Sequence, residues 1–164
     1  MKSRTATIDT NLADRDEVIE AAERHGVHVV LTSVSDRELE GSSISPRSSG
    51  RILEAFVLDE SRLGQAVLGS EEDPGTLERI LSIISNGSFP PLGSRQFLSE
   101  GERRQLRDAM LLHAHARERR DLFITNDERA FLRHGRRAEL ERLLGTRILT
   151  GAEFIQFCQT LLSA

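Results

Sequence analysis

The sequence predicts an α/β fold, a three-layer α/β/α sandwich built around a central parallel sheet. The first observation behind this prediction is that short β-branched runs alternate with stretches whose apolar residues recur at helical spacing. The second is the length of 164 residues, which fits one domain that we expect to span residues 1–164. Strands that alternate with helices are typical of a parallel sheet covered on both faces.

The predicted elements follow one another along the chain. The strands are expected at residues 5–9, 27–32, 121–125 and 146–149, where β-branched and apolar residues run together. The helices are expected at residues 14–24, 52–68, 76–84, 100–119, 128–134, 137–144 and 152–162, with another that begins near Ser35. Glycine, serine and proline mark loops at residues 41–50 and 86–94. These loops indicate a helical insertion at about 41–98.

Composition excludes several kinds of protein and of site. The single cysteine, Cys158, cannot form an intrachain disulfide, and no Cys/His cluster has zinc-binding spacing. His113 and His115 are two positions apart and diverge on a helix, so we expect partly buried or surface positions for them. No apolar run is long enough for a membrane span, and the polar start is not expected to be a signal peptide. We therefore expect no membrane partner and a cytoplasmic location.

The net charge of −4 hides an asymmetry between two parts of the chain. Residues 1–100 carry 10 basic and 17 acidic side chains, whereas residues 101–164 carry 12 basic and 9 acidic ones. An acidic cluster beside an arginine-rich part suits a metal site that handles a polyanion. The same counts also fit a solvated helical surface.

Acidic residues follow three of the predicted strands. Asp9 closes the first strand, and Asp127 comes directly after the strand at 121–125. Glu38 follows the second strand, in the opening turn of the helix that begins near Ser35. Because ligands of open α/β sheets bind beyond the carboxyl ends of the strands, we expect these carboxylates at one functional edge.

The long helix at 100–119 is expected to bring the carboxylate of Asp108 to the same edge. Ser99 and Glu102 form a predicted capping box that starts this helix. The helix must run antiparallel to the strand at 121–125. The stretch from Asp108 to Arg119 is about 16 Å long, which is about the length of that strand. Asp108 should therefore lie level with the carboxyl end of the strand.

Carboxylates that lie close together repel one another unless a cation neutralises them. Oxygen ligands without Cys or His select Mg²⁺ or Mn²⁺. Such an ion orients a phosphate and activates water for hydrolysis. The second acidic position stays open between Glu38 and Glu40, since residues two positions apart on a helix cannot face the same way.

These motifs resemble those of the PIN-domain nucleases, which include the VapC-type toxins of bacterial toxin–antitoxin pairs. The set consists, in chain order, of Asp9-Thr10-Asn11, Thr32-Ser33 with Glu38-Leu39, Asp108-Ala109 and Thr125-Asn126-Asp127. The resemblance spans nearly the whole chain except residues 41–98. It implies a PIN-like domain and a Mg²⁺- or Mn²⁺-dependent endoribonuclease. The implied catalytic and metal-binding carboxylates are Asp9, Glu38, Asp108 and Asp127, and the implied polar supports are Asn11 and Thr125.

The resemblance also implies partners. RNA is the expected substrate, and the toxin of a type II pair would have an antitoxin protein as partner and could form a homodimer. Arg103, Arg104 and Arg107 precede Asp108 where the helix extends past the sheet, so they either hold RNA phosphates or form an exposed face. The segment between Glu38 and Asp108 is longer than in compact VapC toxins, which bears on the toxin role more than on the fold.

Two other functions are compatible with parts of the pattern. A PIN-like module could bind RNA or a protein without cleaving RNA. A haloacid-dehalogenase-type phosphatase would require an aspartate two residues after Asp9, where this chain has Asn11. We rank the phosphatase last.

Overall fold

A parallel β-sheet forms the centre of the molecule. The computed structural model describes residues 4–32, 34–35, 39–40, 51–52, 54–55, 66–67 and 73–161. The strands are β1 (Thr5–Ile8), β2 (His28–Thr32), β3 (Arg51–Ile52), β4 (Glu54–Ala55), β5 (Ala66–Val67), β6 (Leu122–Ile124) and β7 (Arg147–Leu149). Four of them form the all-parallel sheet β2-β1-β6-β7, and β3 extends it beside β2. The strands β4 and β5 form a separate pair.

The strand order creates a switch point between β1 and β6. The chain moves from β1 to β2 on one side, and then crosses to place β6 and β7 on the other side of β1. Ile8 lies opposite Ile124 in the register, and the Asp9 N–H donates to the Ile124 carbonyl at 2.8 Å. Ligands of open α/β sheets bind at such a switch point, beyond the carboxyl ends of the strands.

Five α-helices have described bounds, and residues 34–35 and 39 are helical as well. The five are α1 (Asp16–Arg24), α2 (Asp73–Ser85), α3 (Glu100–Arg117), α4 (Arg136–Leu144) and α5 (Gly151–Thr160). Residues of α1 and α5 share one apolar cluster with the sheet, and residues of α2, α3 and α4 share another. Helices on both faces are compatible with the predicted three-layer sandwich. No described helix is both long enough and apolar enough to cross a membrane.

Successive side chains of the strands β1 and β6 point alternately towards the two apolar clusters. Ala6 and Ile8 belong to the cluster under α1 and α5, whereas Thr7 contacts His115 of α3. Phe123 of β6 likewise belongs to the cluster under α3. Since successive side chains of a strand point to opposite faces, a central strand that is covered on both faces has no side that faces water. This explains why β6 reads as a continuous apolar run.

The predicted start of α3 is confirmed. The Ser99 hydroxyl accepts from the Glu102 N–H at 3.3 Å, and the Glu102 carboxylate accepts from the Ser99 N–H at 2.6 Å. Thr150 and Glu153 form a second capping box at the start of α5, which was not predicted.

The prediction of a helix over 52–68 is wrong where the structure describes this segment. Residues 54–55 and 66–67 are the paired strands β4 and β5, so the insertion at about 41–98 is helical only in part, in α2 and a short turn. A short apolar run does not by itself distinguish a strand from a buried helix. The structure also differs from the helix predicted at 128–134, because Glu128–Leu132 forms a single π-helical turn.

Candidate active site

Asp9 is the buried centre of the polar network at the switch point. It follows β1, its exposed fraction is 6%, and it caps the short 3₁₀ turn Thr10–Leu12. One carboxylate oxygen accepts from the Thr10 N–H at 2.7 Å. The other accepts from the Asn11 amide at 2.7 Å and from the Thr125 hydroxyl at 2.5 Å. Buried charge is tolerated when hydrogen bonds satisfy it, and three donors converge on this carboxylate.

Thr125 joins Asp9 to Asp127. Its hydroxyl oxygen accepts from the Asp127 N–H at 2.9 Å, while its proton is donated to Asp9. A carboxylate can only accept, and a backbone N–H can only donate, so both roles of the hydroxyl are fixed. Thr125 is itself fully buried. The two carboxylate residues that follow β1 and β6 therefore share one hydroxyl group.

Two asparagines connect this network to the next strand and helix. The Asn11 side-chain oxygen accepts from the Asn126 N–H at 3.2 Å. The Asn126 side-chain oxygen accepts from the Gly151 N–H at 3.0 Å, at the first residue of α5. Hydrogen bonds thus bind together the turns after β1, β6 and β7, which holds the edge of the sheet in one geometry.

Asp127 caps a turn and also lines a cleft. One of its oxygens accepts from the Ala130 N–H at 2.8 Å, so it caps the turn Glu128–Leu132. Asp127 also lines a cleft of about 310 Å³, which Asp108 of α3 lines as well. The structure thus brings Asp108 and Asp127 to one cleft, as the antiparallel course of α3 predicts.

The direction of α3 follows from contacts at both of its ends. Asp108, in its first half, shares the cleft with Asp127 beyond the carboxyl end of β6. His115, near its last residue, lies 2.8 Å from the hydroxyl of Thr146, just before β7 begins. The helix therefore runs antiparallel to the sheet strands, and Asp108 lies at their carboxyl edge.

One stripe of α3 faces the cleft. It consists of Gly101, Arg104, Gln105 and Asp108, spaced i, i+3, i+4 and i+7. Of the three arginines predicted to contact RNA, Arg104 belongs to this stripe. Arg103 and Arg107 are not among the described residues that line the cleft. Helical periodicity, applied from Asp108 backwards, would have separated Arg104 from the other two.

Three arginines that follow Asp127 in the chain were not predicted from the sequence to belong to the site. They are Arg129, Arg133 and Arg136, and they line the cleft together with His134. Arg133 pairs with Glu128 at 2.9 Å, and the Arg136 guanidinium donates to the Arg129 carbonyl. The backbone is left-handed at His134 (φ 57°) and Gly135 (φ 78°), which turns the chain back into α4.

The cleft is basic although the whole chain is acidic. The described residues of its lining include four arginines and two aspartates, a formal charge of +2 with His134 neutral, whereas the chain carries −4. The signal available in the sequence was the dense run of arginines directly after the strand-end motif Thr125-Asn126-Asp127. Positive lining around acidic groups can hold a phosphate beside a cation.

Three of the four predicted carboxylates, those of Asp9, Asp108 and Asp127, belong to described residues. Asp9 accepts a hydrogen bond from Thr125 and is not among the described residues of the cleft lining. Glu38 lies outside the described residues, and Glu40 is exposed. Within the described ranges, no three His, Cys, Asp or Glu residues form a group that could hold a metal ion.

The donor set of the cleft nevertheless fits a hard divalent cation. Asp108 and Asp127 offer only oxygen, which is what Mg²⁺ and Mn²⁺ bind. Mg²⁺ usually keeps several waters and needs only one or two protein carboxylates together with substrate phosphates. A pair of aspartates beside arginines meets that requirement.

The two histidines of α3 are both buried, so the expected partly buried or surface position is wrong. His115 is held between the hydroxyls of Thr7 and Thr146, each at 2.8 Å. Burial, with a smaller contribution from the charge of Arg120, lowers the pKa of His115 to about 3, and Asp121 opposes this effect. His115 is therefore a neutral hydrogen-bonding group of the core, away from the cleft.

No model of a known protein family matches this chain, and no curated protein matches it. The functional interpretation therefore depends on the geometry and chemistry of the site itself.

Proposed function

We propose that the protein is a Mg²⁺- or Mn²⁺-dependent endoribonuclease that hydrolyses phosphodiester bonds of RNA. One observation carries the proposal: Asp108 and Asp127, from separate elements, line the same cleft as four arginines. Carboxylates attract a divalent cation, and arginines pair with phosphate oxygens. A substrate that carries many phosphates matches a basic cleft on an acidic protein.

Each group in the cleft has a defined task in this proposal. Asp108 and Asp127 would hold the cation through their carboxylate oxygens. When bound, the cation polarises the phosphate and lowers the pKa of a water molecule. Arg104, Arg129 and Arg133 bind and neutralise phosphate oxygens of the RNA backbone. Thr125 keeps Asp9 and Asp127 in fixed relative positions.

The resemblance to PIN-domain nucleases supports the same reaction. That resemblance makes Asp9 and Glu38 further catalytic carboxylates, with Asn11 and Thr125 as supports. The hydrogen bonds from Asn11 and Thr125 to Asp9 are compatible with these roles. The toxin role, with an antitoxin partner or a homodimer, depends on the resemblance alone. A small antitoxin-like reading frame beside the gene is the observation that tests it.

A PIN-like module that binds RNA without cleaving it is the second candidate. It is favoured by the basic cleft together with the lack of a three-residue metal-binding group among the described residues. The two candidates agree on RNA binding and differ only in hydrolysis.

A cleavage assay separates the two candidates. Single-stranded RNA is incubated with the protein and Mn²⁺, or with a chelator, and the products are resolved on a gel. We expect Mn²⁺-dependent cleavage, and a loss of roughly 100-fold or more in Asp108→Asn and in Asp127→Asn, because hydrolysis depends on precise alignment.

Glu20→Gln is the matched control, because this exposed acid lies on α1, on the other face of the sheet. It should cleave like the wild type. Neither active-site variant should bind RNA less tightly, since phosphate affinity comes mainly from Lys and Arg. Cleavage that persists in the chelator, or no cleavage of varied RNAs, would overturn the nuclease proposal.

A further inference from the structure

The loop between α2 and α3 displays two large apolar side chains to solvent. Phe97 is 93% exposed and Leu92 is 70% exposed. They are the exposed large hydrophobic residues among those that the structure describes. Single exposed apolar residues are ordinary, so their exposure alone indicates no function. The residues around Phe97 indicate that its exposure has a function.

Arg95 fixes the loop from within. Its guanidinium forms two hydrogen bonds of 2.7 Å each with the Glu78 carboxylate of α2. Its Nε donates to the Pro90 carbonyl at 2.8 Å, and the group lies 4.8 Å from the centre of the Phe89 ring. A paired and stacked arginine of this kind restricts the chain on both sides of it.

The residues that follow Phe97 are fixed as well. Leu98 packs against the apolar cluster of α2, α3 and α4, and Ser99 caps α3. Phe97 therefore lies between an anchored arginine and an anchored leucine, with its ring in solvent. A side chain presented by an ordered loop loses less conformational entropy on binding than one in a mobile segment.

Phe97 also lies close to the basic cleft. Gly101, which lines the cleft, is four positions further along the chain, so the two Cα atoms are at most ~14 Å apart. An exposed aromatic ring beside a positively charged groove is the arrangement by which proteins bind single-stranded nucleic acids. The groove follows the phosphates, and the ring stacks on an unpaired base.

We propose that Phe97 is the base-stacking residue of this protein and restricts its substrate to single-stranded RNA. This inference rests on the proposed function, in which the phosphates of the RNA lie along Arg104 and its neighbours in the cleft. The faces of bases in a duplex are covered by neighbouring base pairs, so Phe97 can stack only on an unpaired base. Phe97 thus determines specificity and does not take part in hydrolysis.

The chain contains neither Trp nor Tyr, which allows a direct test. The Phe97→Trp variant has a single indole, whose fluorescence a stacked base quenches. We expect a short oligouridylate, added in a chelating buffer, to quench this fluorescence. The same titration of Phe157→Trp should show no quenching, because Phe157 lies on α5, beneath Arg4 and Arg147.

Affinity measurements complete the test. We expect Phe97→Ala to weaken oligouridylate binding roughly 5- to 150-fold, and Phe97→Tyr to preserve it, as stacking on an aromatic ring requires. Duplex RNA and inorganic polyphosphate should bind wild type and Phe97→Ala equally, because neither offers an unpaired base. Phe97 is exposed, so these variants should fold normally.

The outcomes are distinct from those of the cleavage assay. Absent quenching, or unchanged oligouridylate affinity in Phe97→Ala, overturns the stacking role whether or not the protein cleaves RNA. If Phe97→Ala instead changes the oligomeric state in light scattering while RNA affinity stays constant, Phe97 is a protein contact and the proposal is wrong. Quenching without Mn²⁺-dependent cleavage supports the stacking role and overturns the nuclease.

Discussion

At the scale of single residues, Thr125 is the group on which the geometry of the site depends. Its hydroxyl donates to Asp9 at 2.5 Å and accepts from the Asp127 N–H at 2.9 Å. We expect Thr125→Val to lower the free energy of unfolding by about 1–3 kcal/mol, because it removes a hydrogen bond from a buried carboxylate. Thr125→Ser, which keeps the hydroxyl, should lower the free energy of unfolding much less. Urea denaturation measures both, and equal losses would contradict the hydrogen-bond explanation.

His115 gives a second prediction at this scale, on the pH dependence of stability. The Thr146 hydroxyl donates its proton to the Asp121 carbonyl at 3.2 Å. The same hydroxyl oxygen must therefore accept from Nε2 of His115. Nδ1 then accepts from Thr7, and we assign the neutral tautomer on this basis. Burial, with a smaller contribution from Arg120, lowers the pKa of His115 to about 3.

The sign of the pH effect follows from proton binding. Below about pH 6.5 the unfolded chain protonates His115 while the folded protein does not, so stability falls as the pH decreases towards 3. Between about pH 6.5 and about pH 5 this amounts to about 2 kcal/mol. His115→Gln does not titrate and should show a shallower decrease in urea denaturation. Parallel curves for the two proteins would show that His115 does not contribute.

At the scale of elements, the stripe of α3 determines which of its arginines line the cleft. Arg104 lies one turn before Asp108 and lines the cleft, whereas the described lining does not include Arg103. We expect Arg104→Ala to weaken RNA binding and to reduce the log–log salt slope by about one. Arg103→Ala, a matched change one position away, should alter neither. Filter binding at several salt concentrations measures this, and equal effects would place both arginines on the RNA.

At the scale of the whole molecule, the order of the strands places the site. The chain reverses its direction of travel across the sheet between β1 and β6, and hydrogen bonds join the turns that follow these two strands. Asp9 and Thr125 lie at this point, and the arginine-rich turn after Asp127 forms one wall of the cleft. In the proposed function, the RNA is attracted by the local basic cleft, since the net charge of the chain is negative.

Much of the fold was predictable because its signals are local. The strands at 5–9, 27–32, 121–125 and 146–149 agree with the observed strands to within two residues at each end. The capping box of Ser99 and Glu102 fixed the start of α3, since both partners lie within one turn. The segment at 52–68 was predicted as a helix and contains strands, because its short apolar runs fit both periods.

The sequence by itself determined that β-branched runs and helices alternate, and that carboxylates end the strands β1 and β6. These follow from backbone preferences and spacing within a few residues. Only the tertiary structure decided that Arg129, Arg133 and Arg136 share a cleft with Asp108, and that Thr125 donates to Asp9. It also buried His115 between Thr7 and Thr146. Each of these contacts joins residues from separate elements, and the packing of those elements, which no local pattern encodes, sets the distance between them.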